Sequence, residues 1–425
     1  MPSVADLLGP VFGEVVGGAL PVSVRFWDGS VLDAPGSSAT ILFRSPDALR
    51  RIAYSPGELG LGRAYVAGDL DIEGDIFAVL ALRDRLGATG EHIEFRLRPA
   101  QLLRTLGIAH KLGALGRPLP SPPEEARLRA RLHSRSRDAA AISHHYDVSN
   151  DFYRLVLGPT MTYSCAYFPD ADTTLDQAQA AKYDLICKKL GLGSGMRLLD
   201  VGCGWGGMIM HAAPHYGVRG VGITISRNQA DLAAKRVAEA GLGDLVEIRF
   251  QDYRDVADGP YDAISSIGMF EHVGLARIKA YFSGLFDLLR PGGRLLNHAI
   301  SRPHPGRPGF DKRSFITRYV FPDGELHEVG TVVSAMQEHG FEVRDVESLR
   351  EHYARTLRHW VANLEANWDE AVRLAGLPRA KTWRLYMAGS AVNFEANRTT
   401  VHQSLGVRPH ESGVSAMPAT RRDFV

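Results

Sequence analysis

RLLDVGCGWGG, residues 197–207, is the stretch on which the reading of this 425-residue chain turns. Arg197 to Val201 reads as a short apolar strand, glycines follow at once, and Met208 to His215 opens a helix. Strand, glycine-rich turn and helix form the first unit of a nucleotide-binding α/β domain. Glycine lets backbone come close to a ligand, and a helix N-terminus offers N–H groups that have no partner inside the helix. The glycines here are Gly202, Gly204 and Gly206 with Asp200 just ahead, which departs from the dinucleotide spacing G-x-G-x-x-G. The D-x-G-x-G form suits S-adenosylmethionine, whose ammonium needs acceptors and whose carboxylate needs N–H donors, and which has no pyrophosphate to cradle. An ordinary tight turn is the competing reading of this motif alone.

Working outward, the elements alternate. Upstream, Leu175 to Leu190 reads as a helix, capped by Thr174 and ended by Gly191 and Gly193. Downstream, strands are expected at Gly220 to Ile225, Val246 to Phe250, Tyr261 to Ile267 and Arg294 to Ile300, the last after a turn at Pro291-Gly292-Gly293. Helices fall between them, at Asn228 to Ala240 and Ile278 to Leu289. Such alternation predicts a parallel sheet covered by helices on both faces. Ligands of these sheets bind beyond the C-terminal strand ends. Asp200 to Gly206, Thr224 to Ser226, Gln251 to Tyr253 and Gly268 to His272 therefore converge on one crevice, which favours a ligand site over a bare turn.

Composition bounds the rest. The length predicts two or three domains, and the apolar content is that of a globular core. A formal net charge of +1 gives no global field for nucleic acid. Cys165, Cys187 and Cys203 form no C-x-x-C pair, which points to a reducing compartment and away from zinc or a disulfide framework. No charged region followed by a long apolar run opens the chain, and no stretch is apolar enough to span a bilayer.

The first region, Met1 to about Gly90, reads as a small α+β unit. It has strands at Val22 to Phe26 and Ala39 to Phe43 and a helix start at Ser45-Pro46-Asp47. From Phe95 to Asp138 arginines outnumber acids, and Pro118, Pro120, Pro122 and Pro123 mark a linker. Such a stretch is either solvated or held at anionic lipid headgroups. His144 to Phe168, HHYDVSNDFYRLVLGPTMTYSCAYF, is dense in aromatic and polar groups. Asp147 or Ser149 would cap a helix from Asn150 that Gly158-Pro159 ends, and Tyr163 and Ser164 offer hydroxyls to a ligand. Leu357 to Phe394 reads as helical, with Trp360, Leu364 and Trp368 spaced for one face. Beyond Arg398 the chain reads as disordered.

HHYDVSNDFY, MTYSCAYF, LLDVGCGWGG, GITIS, QDYRD, GMFEHVG, RYVFPDGEL and HYARTLRHW together resemble the cyclopropane-fatty-acyl-phospholipid synthases and their mycolic-acid relatives. The likeness spans about His144 to Phe394, and the N-terminal region resembles more loosely the lipid-binding domain of those synthases. One departure is Asn297, where the pattern has an apolar residue. The resemblance implies a Rossmann-like class I S-adenosylmethionine-dependent methyltransferase domain, α/β in class, behind a smaller N-terminal α+β lipid-binding domain. The expected division is 1–118 lipid-binding, 119–140 linker, 141–398 catalytic with a helical cap, and 399–425 disordered.

It also implies transfer of a methylene unit from S-adenosylmethionine to a cis double bond in a phospholipid acyl chain, forming a cyclopropane. Methyl transfer to an alkene leaves a carbocation, and aromatic faces tolerate a cation without trapping it. Tyr146, Phe152, Tyr163, Tyr167 and Phe270 are the candidate wall. The family implies bicarbonate as the base, held near Cys165, Glu271, His298, Ile300 and Tyr353, with Glu271 or His298 passing the proton on. Cys165 is then a binding residue. His272 reads as structural. For the cofactor the resemblance carries over Tyr163, Ser164, Asp200, Gly202 and Gly204 at the methionine end, Thr224 and Gln229 at the ribose, and Gln251 and Asp252 at the adenine. No metal is expected. The implied partners are membrane phospholipids at the cytoplasmic face and a second copy of the chain. The alternatives are an exocyclic 10-methylene product, which calls for a flavin- or NADPH-dependent reductase, a non-catalytic lipid-binding protein, and a small-molecule methyltransferase.

Overall fold

The structure, a computed structural model, describes residues 2–85, 107–126, 137, 149–306, 311 and 314–424. Most of the arginine-rich stretch and the HHYDV segment with Tyr146 and Asp147 lie outside the described residues. The chain forms two compact units: Met1–Arg127 with Asp311–Pro322 and Leu364–Val392, and Leu128–Phe310 with Asp323–Asn363 and Asn393–Val425. These units differ from the expected linear division in three stretches. Two stretches expected in the catalytic segment belong to the N-terminal unit, and the expected disordered tail belongs to the catalytic unit.

In the first unit, a helix over Val4–Val16 starts on a Ser3/Asp6 capping box. A four-stranded sheet follows, in the order β2-β1-β3-β4, from β1 Ser23–Arg25, β2 Val31–Leu32, β3 Ala39–Phe43 and β4 Leu70–Gly74. Val24, Phe26, Phe43 and Ile72 bury its inner face. The helix Leu377–Glu395 joins this unit because it carries the charges that match it. Lys381 Nζ lies 3.1 Å from Asp71, and Arg384 donates to Tyr65 Oη and to the carbonyls of Ile72 and Gly74. Trp368 opens a separate helix, Trp368–Ala375, so it does not share a helix face with Trp360 and Leu364 on Arg350–Ala366.

The second unit is a doubly wound sheet. Its strands are β5 Arg197–Val201, β6 Arg219–Thr224, β7 Val246–Phe250, β8 Tyr261–Ile267, β9 Leu289–Arg302, β10 His327–Glu328, β11 Glu342–Ser348 and β12 Thr400–Val407. Their order is β7-β6-β5-β8-β9-β12-β11, with β10 pairing β9. β5 to β9 run parallel, and β12 is antiparallel to both neighbours. This reversed strand at the far side is the class I methyltransferase pattern. The helix Leu175–Leu190 forms where the sequence puts it, with a Thr174/Gln177 capping box and left-handed Gly191 at its end.

Two expectations fail here. Pro291-Gly292-Gly293 is not a turn but part of β9, with Gly292 at φ 77° and its N–H donating to Arg408 O. Residues 400–407 are not disordered but form the strand between β9 and β11, seven of its eight residues buried. Farther on, Arg421 reaches Asp345 at 3.1 Å and Glu347 at 2.9 Å, the two acids that also take the fully buried Lys189.

Candidate functional site

The parallel strands end on one side of the sheet, and the turns leaving β5, β6, β7 and β8 converge there. Gly202 and Gly204 stand at φ 77° and 55°, a left-handed conformation that glycine adopts without strain. A side chain at Gly202 would also meet Met269, its Cβ only 2.8 Å from the Met269 side chain. Between these turns lies an open cleft. All nine residues expected at the cofactor line it: Tyr163, Ser164, Asp200, Gly202, Gly204, Thr224, Gln229, Gln251 and Asp252.

The polar groups of the cleft hold one another in place. Ser265 Oγ donates to Asp200 at 2.7 Å, and burial pushes the Asp200 carboxyl up to about 6 against the pulls of Ser265 and Lys182. Thr224 Oγ1 donates to Gln229 at 2.9 Å and accepts the Ser226 N–H. Gln251 donates to Asp255 O at 2.9 Å, and Arg254 Nε donates to Asp252 at 2.8 Å. The Tyr163 ring lies 5.3 Å from the Trp360 ring and 6.0 Å from that of Tyr153.

Sequence reasoning missed Lys182 and Tyr183, which line the cleft. Gln179, Lys182, Tyr183 and Ile186 share the inner face of the helix Leu175–Leu190, at i, i+3, i+4 and i+7. Gln179 Nε2 donates to Ser164 O, Lys182 Nζ to Ser164 Oγ, and Tyr183 Oη pairs with Thr162 Oγ1 at 2.8 Å. A lysine and a glutamine on the apolar face of an amphipathic helix was the available signal. His272, read as structural, also lines the cleft. Of the expected aromatic wall, only Tyr163 does so among the described residues. Phe270 instead packs in the core against Tyr281 and Phe282.

Cys165, Glu271, His298, Ile300 and Tyr353 do not line this cleft, and backbone links tie four of them together. Glu271 Oε1 accepts the Ile300 N–H at 2.6 Å. Ile300 on β9 stands opposite Val401 on β12, whose carbonyl accepts the Leu349 N–H. The Leu349 carbonyl in turn accepts the Tyr353 N–H at 3.0 Å and the Cys165 thiol at 3.6 Å. His298 is two residues before Ile300 on the same face of β9. Its Nδ1 is 3.3 Å from Gln403 Nε2 on β12. Burial pushes the Glu271 carboxyl up to about 7, holds His298 neutral by lowering its pKa well below the usual histidine range, and raises the Cys165 thiol. A thiol so held is not a nucleophile. Three buried polar atoms of these residues and their neighbour Gln403 meet no partner: Glu271 Oε2, His298 Nε2 and Gln403 Oε1.

Comparison with known proteins agrees with this geometry. Residues 133–404 match the family model for mycolic acid cyclopropane synthetase. A Mycobacterium tuberculosis protein named as a probable fatty acid methyltransferase is 46% identical over 415 residues, covering 94% of each chain. Cyclopropane mycolic acid synthase 1 of the same organism is 41% identical over 274 residues, which is 62% of this chain and 95% of that one. The solved structure of mycolic acid cyclopropane synthase CmaA1 complexed with SAH and CTAB superposes with a TM-score of 0.59, at 39% identity, over 63% of this chain and 97% of that one. With the strand order, the D-x-G-x-G turn and the family match in agreement, the chain belongs to the mycolic acid cyclopropane synthetase family of S-adenosylmethionine-dependent methyltransferases.

Proposed function

We propose that this protein transfers a one-carbon unit from S-adenosylmethionine to the cis double bond of an unsaturated phospholipid acyl chain and closes it to a cyclopropane. The observation that carries this reading is the loop after β8. Met269 and His272 line the cleft, while Glu271 between them is buried against Ile300 with one oxygen unpartnered. A donor cleft and a proton-handling carboxyl thus stand back to back on one short segment.

An alkene is a weak nucleophile, so the protein must hold it in line with the donor and exclude water. Asp200, Thr224, Gln229, Gln251 and Asp252 would orient the donor, with Tyr163 and Ser164 at its methionine end. Tyr163, backed by the Trp360 ring, offers a ring face to a developing cation. The neutral Cys165 thiol does not capture it. The residues around Glu271 also suit a small anion. A carboxyl with a pKa of about 7 keeps its proton on a good fraction of molecules at neutral pH and can donate it from Oε2. With the Gln403 amide facing Nδ1, neutral His298 carries its proton on Nε2, a second donor. The anion would be bicarbonate, held by Cys165, Glu271, His298, Ile300 and Tyr353. Bound there it would supply the base for the proton of the added methyl group.

A second reading, loss of the proton to give an exocyclic methylene, is favoured by one finding. A relative matching both units is named a probable fatty acid methyltransferase, whereas a relative named a cyclopropane mycolic acid synthase matches 62% of the chain. A separate reductase would then complete a methyl branch. Among the described residues no helix is long and apolar enough to cross a membrane. In either reading access to lipid would be peripheral, from the cytoplasmic face, with the basic stretch at 95–138 on anionic headgroups.

The test is incubation with S-adenosylmethionine and dioleoyl phospholipid vesicles, followed by proton NMR of the released esters. High-field ring protons are expected. Vinylidene protons would select the second reading. Neither, with donor bound, would overturn both.

A further inference from the structure

Lys182 is a fully buried lysine that the reaction described above does not use. Its Nζ donates to Ser164 Oγ at 2.9 Å and sits 4.0 Å from the Tyr183 ring centre. Among the described residues the structure records no ion pair for it, and two of its three protons have no acceptor. Asp200, in the same cleft, accepts from Ser265 and attracts Lys182 without a hydrogen bond or ion pair between them. A buried ammonium is costly to desolvate, and a neutral hydroxyl and a ring face offset little of that cost. Burial accordingly pulls the pKa of Lys182 down to about 7. Such a charge is retained where an anion arrives to meet it.

Lys182 lies beside Ser164 and Asp200, on the side of the cleft where the methionine end of the donor is expected. That end is a zwitterion. We infer that Lys182 is the seat of the donor's α-carboxylate, with the Ser164 hydroxyl beside it, while Asp200 faces the α-ammonium. The helix Leu175–Leu190 would therefore do more than cover the sheet. Through Gln179 and Tyr183 it fixes the 162–164 segment, and through Lys182 it supplies the charge that tells an amino-acid-bearing nucleoside from one without a carboxylate. This rests on the reading of the cleft as a donor site.

The test is a cycle of two proteins and two ligands, followed by calorimetry on the full chain. The ligands are S-adenosylhomocysteine and its decarboxylated analogue, 5′-deoxy-5′-(3-aminopropylthio)adenosine. The wild type should bind the first about tenfold or more tighter, the scale of one charge-assisted contact. Lys182→Met should lose that factor for S-adenosylhomocysteine and bind the analogue within about threefold of wild type. Equal losses for both ligands would mean that Lys182 only shapes the cleft, and would overturn the inference. So would a wild type that binds the two ligands alike, a result needing no variant and surviving a misfolded Lys182→Met. If the wild type binds neither ligand, the reading of the cleft itself fails, which is a different outcome from binding without preference.

Discussion

The two polar regions of the catalytic unit are built on opposite plans. In the cleft, each oriented group already has a partner: Asp200 with Ser265, Thr224 with Gln229, Gln251 with Asp255, Asp252 with Arg254. In the second set, Glu271 Oε2, His298 Nε2 and the neighbouring Gln403 Oε1 have none. Unmet buried polar atoms cost on the order of 1–3 kcal/mol each. A fold keeps them where a small guest, or water, completes the set. The first region is preorganised for a large ligand that comes and goes. The second leaves buried polar atoms unmet, which is what the proposed small anion would complete.

The contrast breaks most completely if β12 is removed, because β12 carries Gln403 and Val401 into the second region. A chain lacking residues 400–425 should give no cooperative thermal transition, and a normal melt would refute the central place of this strand. Glu271→Gln comes next. It preserves shape and removes proton transfer, so kcat should fall by about 10²–10⁴. Calorimetric affinity for S-adenosylhomocysteine should stay within about threefold; a large loss of affinity would show that the two regions are not separable. Asp200→Asn should do the reverse, raising the KM for S-adenosylmethionine by about ten- to a hundredfold with a smaller change in kcat.

A smaller effect concerns pH. The Glu271 carboxyl is raised from 4.5 to about 7, so the folded chain holds a proton that the unfolded chain loses between those values. Its contribution to stability is full below about 4.5 and is lost as pH rises through 7. Glu271→Gln escapes that loss. The variant should melt higher than wild type at pH 8, by a margin up to on the order of 3 kcal/mol, and the two should converge near pH 5. Parallel melting curves at all pH values would show that Glu271 is not buried as described. The smallest change is expected from Gln251→Ala, about two- to fivefold in the KM for S-adenosylmethionine, since its amide is held by Asp255 O at the edge of the cleft.

Legibility in the sequence followed the same division. The cleft was readable because its residues sit at strand ends, where glycines and changes of hydrophobic period announce themselves. The helix Leu175–Leu190 was readable down to its cap. β12 was not. Its His402-Gln403 pair is polar because those side chains meet partners on β9: His402 pairs with Ser301 Oγ at 2.6 Å, and Gln403 faces His298. Cross-strand satisfaction of this kind is invisible along one strand. Asn297 was noticed as a departure, and its buried Oδ1 meets no partner, on the face of β9 opposite His298. The division into units was hidden for another reason. A continuous helical pattern from Leu357 to Phe394 does not say where Arg384 and Lys381 find their acids.

β12 also carries a consequence for how the chain is made. It is the last strand in order, yet it belongs between two strands synthesised before it. During translation β9 and β11 exist with a gap between them, each presenting an open row of backbone donors and acceptors. Until residues 400–407 emerge, that slot is a template for any extended segment, including the same strand of a neighbouring nascent chain. Only after that strand has emerged does Arg421 reach Asp345 and Glu347.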